Sequence, residues 1–144
     1  MTHTNRAETM EQMLRQSRTI AVVGMSNKPE RASFNIAAYL ARNGYRVLPV
    51  NPALSRVMVG DEEVDCYPSL DVAHKVAAID LVDVFRASDA VPEIVDEVIQ
   101  LRIPFLWLQD GVIHEEALAR AEAAGVLCVQ NDCIFRQHAA RKHP

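Results

Sequence analysis

The sequence predicts an α/β fold in three layers, with helices on both faces of a five-stranded parallel sheet of order 3-2-1-4-5 and right-handed crossovers. Three observations lead there. Thr19-Ile20-Ala21-Val22-Val23-Gly24 is a β-branched apolar run closed by glycine, and it feeds through Met25–Ser33 into a helical pattern. Short apolar runs and amphipathic stretches then alternate along the chain. The runs are apolar throughout, as strands covered on both faces must be.

The elements follow in order. Asn5 and Glu8 have the spacing of a capping box for a helix to about Gln16, with Met10, Met13 and Leu14 inward. The strand at Thr19–Val23 ends at Gly24. Phe34–Arg42 is helical, with Ile36, Ala37 and Leu40 inward and Gly44 just past its end. A second strand, Arg46–Val50, opens into a long irregular segment from Asn51 to about Pro68. The third strand is about Ile79–Phe85. The next helix has Pro92 in its first turn, where a missing N–H costs little, and buries Ile94, Val95, Val98 and Ile99. Phe105–Leu108 is the fourth strand, Glu115–Ala123 a helix stopped by Gly125, and Val126–Gln130 the fifth strand. Arg136–His143 reads as a solvated tail. The division expected is a helix in 1–18, the α/β unit in 19–135 and a polar tail in 136–144.

Composition narrows the function. A chain of 144 residues with 49% apolar and 24% charged residues fits one globular domain. A net charge of −4 argues against nonspecific nucleic-acid binding, which a basic surface drives. The sequence has no apolar run long enough for a membrane span and no signal-peptide core near its start. Three cysteines without metal-site spacing fit a reducing compartment, so a cytoplasmic protein is expected.

The first turn carries the chemistry. Gly24 lets the chain turn sharply and lets a ligand approach the backbone, and helical N–H groups beyond it favour an anion. Lys28 and Arg31 add positive charge, so a phosphorylated nucleotide is the expected ligand. The three glycine places of the dinucleotide fingerprint are filled by Gly24, Ser26 and Pro29. The second strand ends in Asn51-Pro52 rather than in a ribose-binding acid. The P-loop pattern is missing as well, because no glycine lies between Gly24 and Gly44. These departures count against NAD and ATP. In a parallel sheet the loops after the strands share one edge. Here they are Gly24–Ser33, Asn51-Pro52, Phe85-Arg86, Gln109-Asp110-Gly111 and Asn131-Asp132-Cys133.

Gly24-Met25-Ser26 with Arg31 and Ser33, Val50-Asn51-Pro52, Val82-Asp83-Val84-Phe85-Arg86, and Trp107-Leu108-Gln109 with Gly111-Val112 together resemble the CoA-binding protein family. Its members are small Rossmann-like proteins similar to the N-terminal domain of the succinyl-CoA synthetase α subunit. The resemblance implies a Rossmann-like three-layer sandwich that binds coenzyme A or an acyl-CoA. It places Gly24, Ser26, Lys28, Arg31 and Ser33 at the phosphates, and Asn51, Pro52, Phe85 and Arg86 beside the nucleotide, with Gln109 also at the ligand edge. The synthetase's second domain, with its phosphorylated histidine, has no counterpart here, so binding is implied and ligase chemistry is not.

No catalytic or metal constellation stands out: His74, His114 and His138 have neither metal spacing nor an evident acid partner. Two other readings stay open: an enzyme acting on a CoA- or nucleotide-linked substrate through Cys133 or Asp83, and an NAD-binding regulatory domain. Asp83, inside an apolar strand, is expected to accept N–H bonds from a neighbouring loop. Trp107 is expected in the core and Cys128 buried and inert. Cys133 is expected on the ligand edge, either as packing or within reach of the CoA thiol.

Overall fold

The computed structural model describes residues 3–142. In chain order the elements are α1 (Ala7–Gln16), β1 (Thr19–Val23), α2 (Ala32–Arg42), β2 (Arg46–Val50), β3 (Arg56–Val59), β4 (Glu62–Asp65), α3 (Leu70–Val76), β5 (Leu81–Val84), α4 (Val91–Gln100), β6 (Phe105–Leu108), α5 (Glu115–Ala123), β7 (Leu127–Val129) and α6 (Ile134–Arg141). Five strands form a parallel sheet of order β2-β1-β5-β6-β7. This follows the 3-2-1-4-5 pattern, with the place outside β2 reduced to a single parallel bridge between Val50 and Tyr67. The Ile79–Phe85 run, as β5, lies on the other side of β1, at the fourth place. Pro49 explains the short outer pairing. Its carbonyl accepts from the Tyr67 N–H, but it has no N–H to extend the ladder along that edge.

Both faces are covered, as the continuous apolar strands require. Ala21, Val82, Val84 and Leu106 pack with Leu70, Ile94, Val98 and Leu118 from α3, α4 and α5. Ile20, Val22, Leu81 and Trp107 pack with Met13, Ile36, Leu40 and Ile134 from α1, α2 and α6. No described helix is long and apolar enough to cross a membrane.

Three expectations are corrected. The segment read as irregular between Asn51 and Pro68 contains the antiparallel hairpin β3–β4, turning at Gly60 with φ +64°. Each strand has only four residues, too short for a clear alternation, and Val57 and Val59 are what it buries. Asn5 does not cap α1, whose N-cap is Arg6 without a side-chain bond. Its amide instead pairs with the Gln130 backbone, Nδ2 donating to the carbonyl at 2.8 Å and Oδ1 accepting from the N–H at 3.0 Å. The expected tail is mostly α6, seated on α2 by a 2.7 Å hydrogen bond between Tyr39 and His138 Nδ1. Arg136 on α6 reaches both Asp110 and Asp132 at 2.9 Å, and its hydrogen bond holds the Asp110 carboxyl below the usual range. His143 and Pro144 of the expected tail lie outside the described residues.

Candidate functional site

The chain after β1 crosses to one face of the sheet through α2, while the chain after β5 crosses to the other through α4. A crevice therefore opens between the ends of β1 and β5, where open α/β sheets take their ligands. Gly24 sits at its narrowest point, with φ +86°. A Cβ there would lie 3.1 Å from both the carbonyl carbon and the oxygen of Phe85. The Gly24 and Met25 N–H groups both donate to the Val50 carbonyl, drawing in the end of β2. Asn51 completes the clamp, its Nδ2 donating to the Met25 carbonyl at 2.7 Å while Oδ1 accepts from the Ala53 N–H at 2.8 Å.

The loop from Gly24 to α2 is held by its own hydroxyls. Ser33, buried in the first turn of α2, accepts from the Ser26 N–H at 3.0 Å, and Ser26 Oγ accepts from the Lys28 N–H at 3.1 Å. Asn35 Nδ2 ties the far side by donating to the Pro29 and Arg31 carbonyls. What this leaves open is the end of α2. Its N-cap Arg31 gives no side-chain bond, and its first turn carries no acid. The first N–H groups of that helix and the positive end of its dipole are thus free for an anion. Lys28 and Arg31 stand exposed beside them and form no ion pair among the described residues.

Two hollows meet here, sharing Gly24 and Asn51. The first, of about 410 Å³, brings together Gly24, Ser26, Lys28, Arg31, Ser33, Asn51 and Phe85. The second, of about 370 Å³ on the α4 side, takes in Gly24, Asn51, Pro52 and Arg86. Gln109 joins neither. It is buried and its Oε1 accepts from the Ile134 N–H at 3.0 Å, so it supports the start of α6. Sequence reasoning missed Ala53 and Leu54 in the first hollow, and Ser69, Leu70, Glu93, Ile94 and Glu97 in the second. Ser69 had a readable signal, since it N-caps α3 by accepting from the Val72 N–H. Glu93 and Glu97 had none, because acids on a helix read as a solvated face. A larger hollow, of about 510 Å³, lies between β2 and the hairpin. It has no helix N-terminus, and its Arg56 is already paired with Glu63 and Asp65.

The other singled-out residues lie outside both hollows. Trp107 is fully buried, its Nε1 donating to the Asp132 carbonyl at 3.0 Å. Cys133 is on the ligand edge but buried at the start of α6. Cys128 is buried, and desolvation raises its thiol well above the ordinary range. Asp83 differs most from expectation. It lies in β5 between Val22 of β1 and Trp107 of β6, wholly buried, and among the described residues neither carboxyl oxygen has a hydrogen-bond partner. The nearby loop N–H groups expected to meet it go to Val50 and Ser33 instead. Burial alone pushes its carboxyl well above the usual range.

Comparison with known proteins agrees with this geometry. The sequence pattern of the CoA binding domain matches residues 18–139. The uncharacterized protein YneT of Bacillus subtilis is 32% identical over 142 residues, covering 99% of this chain and all of that protein. Acetate–CoA ligase (ADP-forming) II of Archaeoglobus fulgidus is 31% identical over 108 residues, covering 73% of this chain but 15% of the ligase. Among solved structures, a hypothetical protein from Pyrococcus horikoshii OT3 superposes with a TM-score of 0.85 at 32% identity, over 97% of this chain and 98% of that one. ATP citrate lyase from Methanothrix soehngenii, solved with citrate and coenzyme A, shares the fold, with a TM-score of 0.53 at 15% identity over 78% of this chain and 20% of the lyase. A parallel sheet with a glycine-ended first strand, an open helix terminus at the switch point and a family pattern running through all of it have one common reading: the chain belongs to the CoA binding domain family.

Proposed function

We propose that this protein binds coenzyme A or an acyl-CoA reversibly, as a noncatalytic module that senses, buffers or presents the cofactor in the cytoplasm. The observation that carries the reading is the N-terminus of α2, without a side-chain cap or an acid in its first turn, opening into the first hollow beside Lys28 and Arg31, which form no ion pair among the described residues. The pyrophosphate of CoA rests against the α2 N–H groups, with Lys28 and Arg31 closing on its oxygens. Gly24 lets the chain of phosphates pass close to the backbone. Support for a binding role comes from the hydroxyls in the loop. Ser26 and Ser33 are engaged with backbone N–H groups, and no histidine or cysteine among the described residues lines either hollow to act as base or nucleophile. The three free, buried cysteines suit a reducing compartment.

CoA is expected to raise the melting temperature by mass action, and NAD at equal concentration to raise it much less. Stabilisation by NAD and not by CoA would reject the proposal. Lys28→Ala and Arg31→Ala should each weaken CoA binding by roughly 1–3 kcal/mol in calorimetric titration while leaving the fold intact, because both side chains are exposed. Unchanged affinity in both variants would place the phosphates elsewhere.

A further inference from the structure

The hollow between β2 and the hairpin has no part in the binding proposal, and two of its walls are strand edges. The Arg46 N–H donates to the Arg18 carbonyl and the Val50 carbonyl accepts from the Gly24 N–H. Alternate residues of β2 therefore serve β1, and the backbone of Val47 and Pro49 turns outward. On the hairpin side, the Cys66 N–H donates to the Ser55 carbonyl, while the Tyr67 N–H donates to the Pro49 carbonyl. The same alternation turns the backbone of Glu63 and Asp65 toward β2. β2 and the chain leaving β4 meet in parallel at the Val50–Tyr67 bridge and separate from there, leaving about 510 Å³ between them. Among the described residues, the backbone of Val47 and of Asp65 makes no bond across this gap. The Glu63 carbonyl accepts from Arg56 Nη2 at 3.2 Å.

Unpaired backbone at a sheet edge is a template for another strand. The floor here is apolar and incompletely covered: Ala41, Tyr45, Val47 and Val64 line the hollow and are only partly buried against the α1–α2 side of the core. The rim is acidic, since the stretch Arg56–Asp65 carries Asp61, Glu62, Glu63 and Asp65 against Arg56 alone. Successive residues of a strand point to opposite faces. A segment alternating apolar and basic residues thus sets one series on the floor and the other against the acids. The chain's own edge strands do not fit. β2 is interrupted by Pro49, and at the end of β7 Asn5 holds both backbone groups of Gln130. We propose that this hollow is a strand-addition site, taking between β2 and β4 an extended segment of a partner protein in which apolar residues alternate with lysine or arginine.

The test uses the whole protein and three synthetic peptides: one alternating valine with lysine, one alternating valine with glutamate, and one with the same valines and lysines in two blocks. The valine–lysine peptide should bind, read by fluorescence anisotropy, and should slow hydrogen exchange at the Val47, Glu63 and Asp65 amides. The other two should bind roughly ten-fold more weakly or worse. Val47→Pro removes the N–H that β2 offers, at an edge that already carries Pro49 two residues on. It should keep the fold and CoA binding and weaken the valine–lysine peptide by roughly ten-fold. The exposed pair Glu63→Lys with Asp65→Lys should reverse the preference toward the valine–glutamate peptide. Absence of binding, equal binding of the alternating and blocked peptides, or binding without protection of those three amides overturns the assignment. Protection at Val47 that appears without peptide and grows with protein concentration would give the edge to a second copy instead, and overturns it too.

Discussion

Gly24→Val is expected to abolish CoA binding and to destabilise the fold by about 2–4 kcal/mol, a loss read from urea unfolding and calorimetric titration. Two effects combine. The residue holds φ +86°, where a β-branched side chain is strained. Its Cβ would also press on the Phe85 backbone at 3.1 Å, and backbone at the end of β5 cannot swing aside as a flexible side chain could. Gly44→Val separates the two. Gly44 has φ +93°, but a Cβ there meets nothing within 4 Å, and it lines neither hollow. That variant should show the conformational strain alone and bind CoA normally. Equal destabilisation of the two, with CoA binding retained by both, would mean that the β1–β5 crevice is neither tight nor the site.

The second large effect comes from Asp83. A carboxyl whose folded pKa is raised above its unfolded value stabilises nothing at neutral pH. Its favourable balance exists only below the unfolded pKa, about 3.9, and is lost as pH rises toward the folded value. Across that window the native state loses about 1.4 kcal/mol per pH unit relative to the unfolded chain. Asp83→Asn keeps the shape and removes the proton equilibrium. The stability gap between variant and parent should therefore widen as the pH rises from 5 toward the folded value, by up to about 1.4 kcal/mol per pH unit, with the variant the more stable at pH 7. Other groups titrate too. Burial lifts Glu97, and the hydrogen bond from Arg136 lowers Asp110. Burial and then Lys142 lower His138. These contributions are common to both proteins and cancel in the difference. Parallel pH profiles would show that Asp83 finds a partner in solution.

The sequence alone carried the layer architecture, because the period of an apolar pattern is a local property. Thr19–Val23 and Phe105–Leu108 are buried at every residue, and Ile94, Val95 and Val98 mark one side of α4, as their order in the chain requires. The loop proposed to take the phosphates was legible for the same reason: a glycine ending a strand, a loop with Lys28 and Arg31 and the start of a helix lie within fifteen consecutive residues, Thr19–Ser33. Short elements were harder. The β3–β4 strands are too brief to show a period, and α6, carrying Arg136, Gln137, His138 and Arg141, reads as polar chain until its own Ile134 is seen buried and Tyr39 of α2 is seen against His138.

Only the tertiary structure decided where polar side chains spend their hydrogen bonds. Asn5 has the spacing of a helix cap but closes on Gln130, 125 residues away. Gln109 sits on the ligand edge but turns to Ile134, and Asn51 is consumed in clamping the loop of Met25. Asp83 has no hydrogen-bond partner among the described residues. Burial is set by the local pattern, since apolar area leaves water wherever the period directs it. A hydrogen bond needs a donor and an acceptor within about 3 Å, and chain distance says nothing of that until the sheet has brought them together.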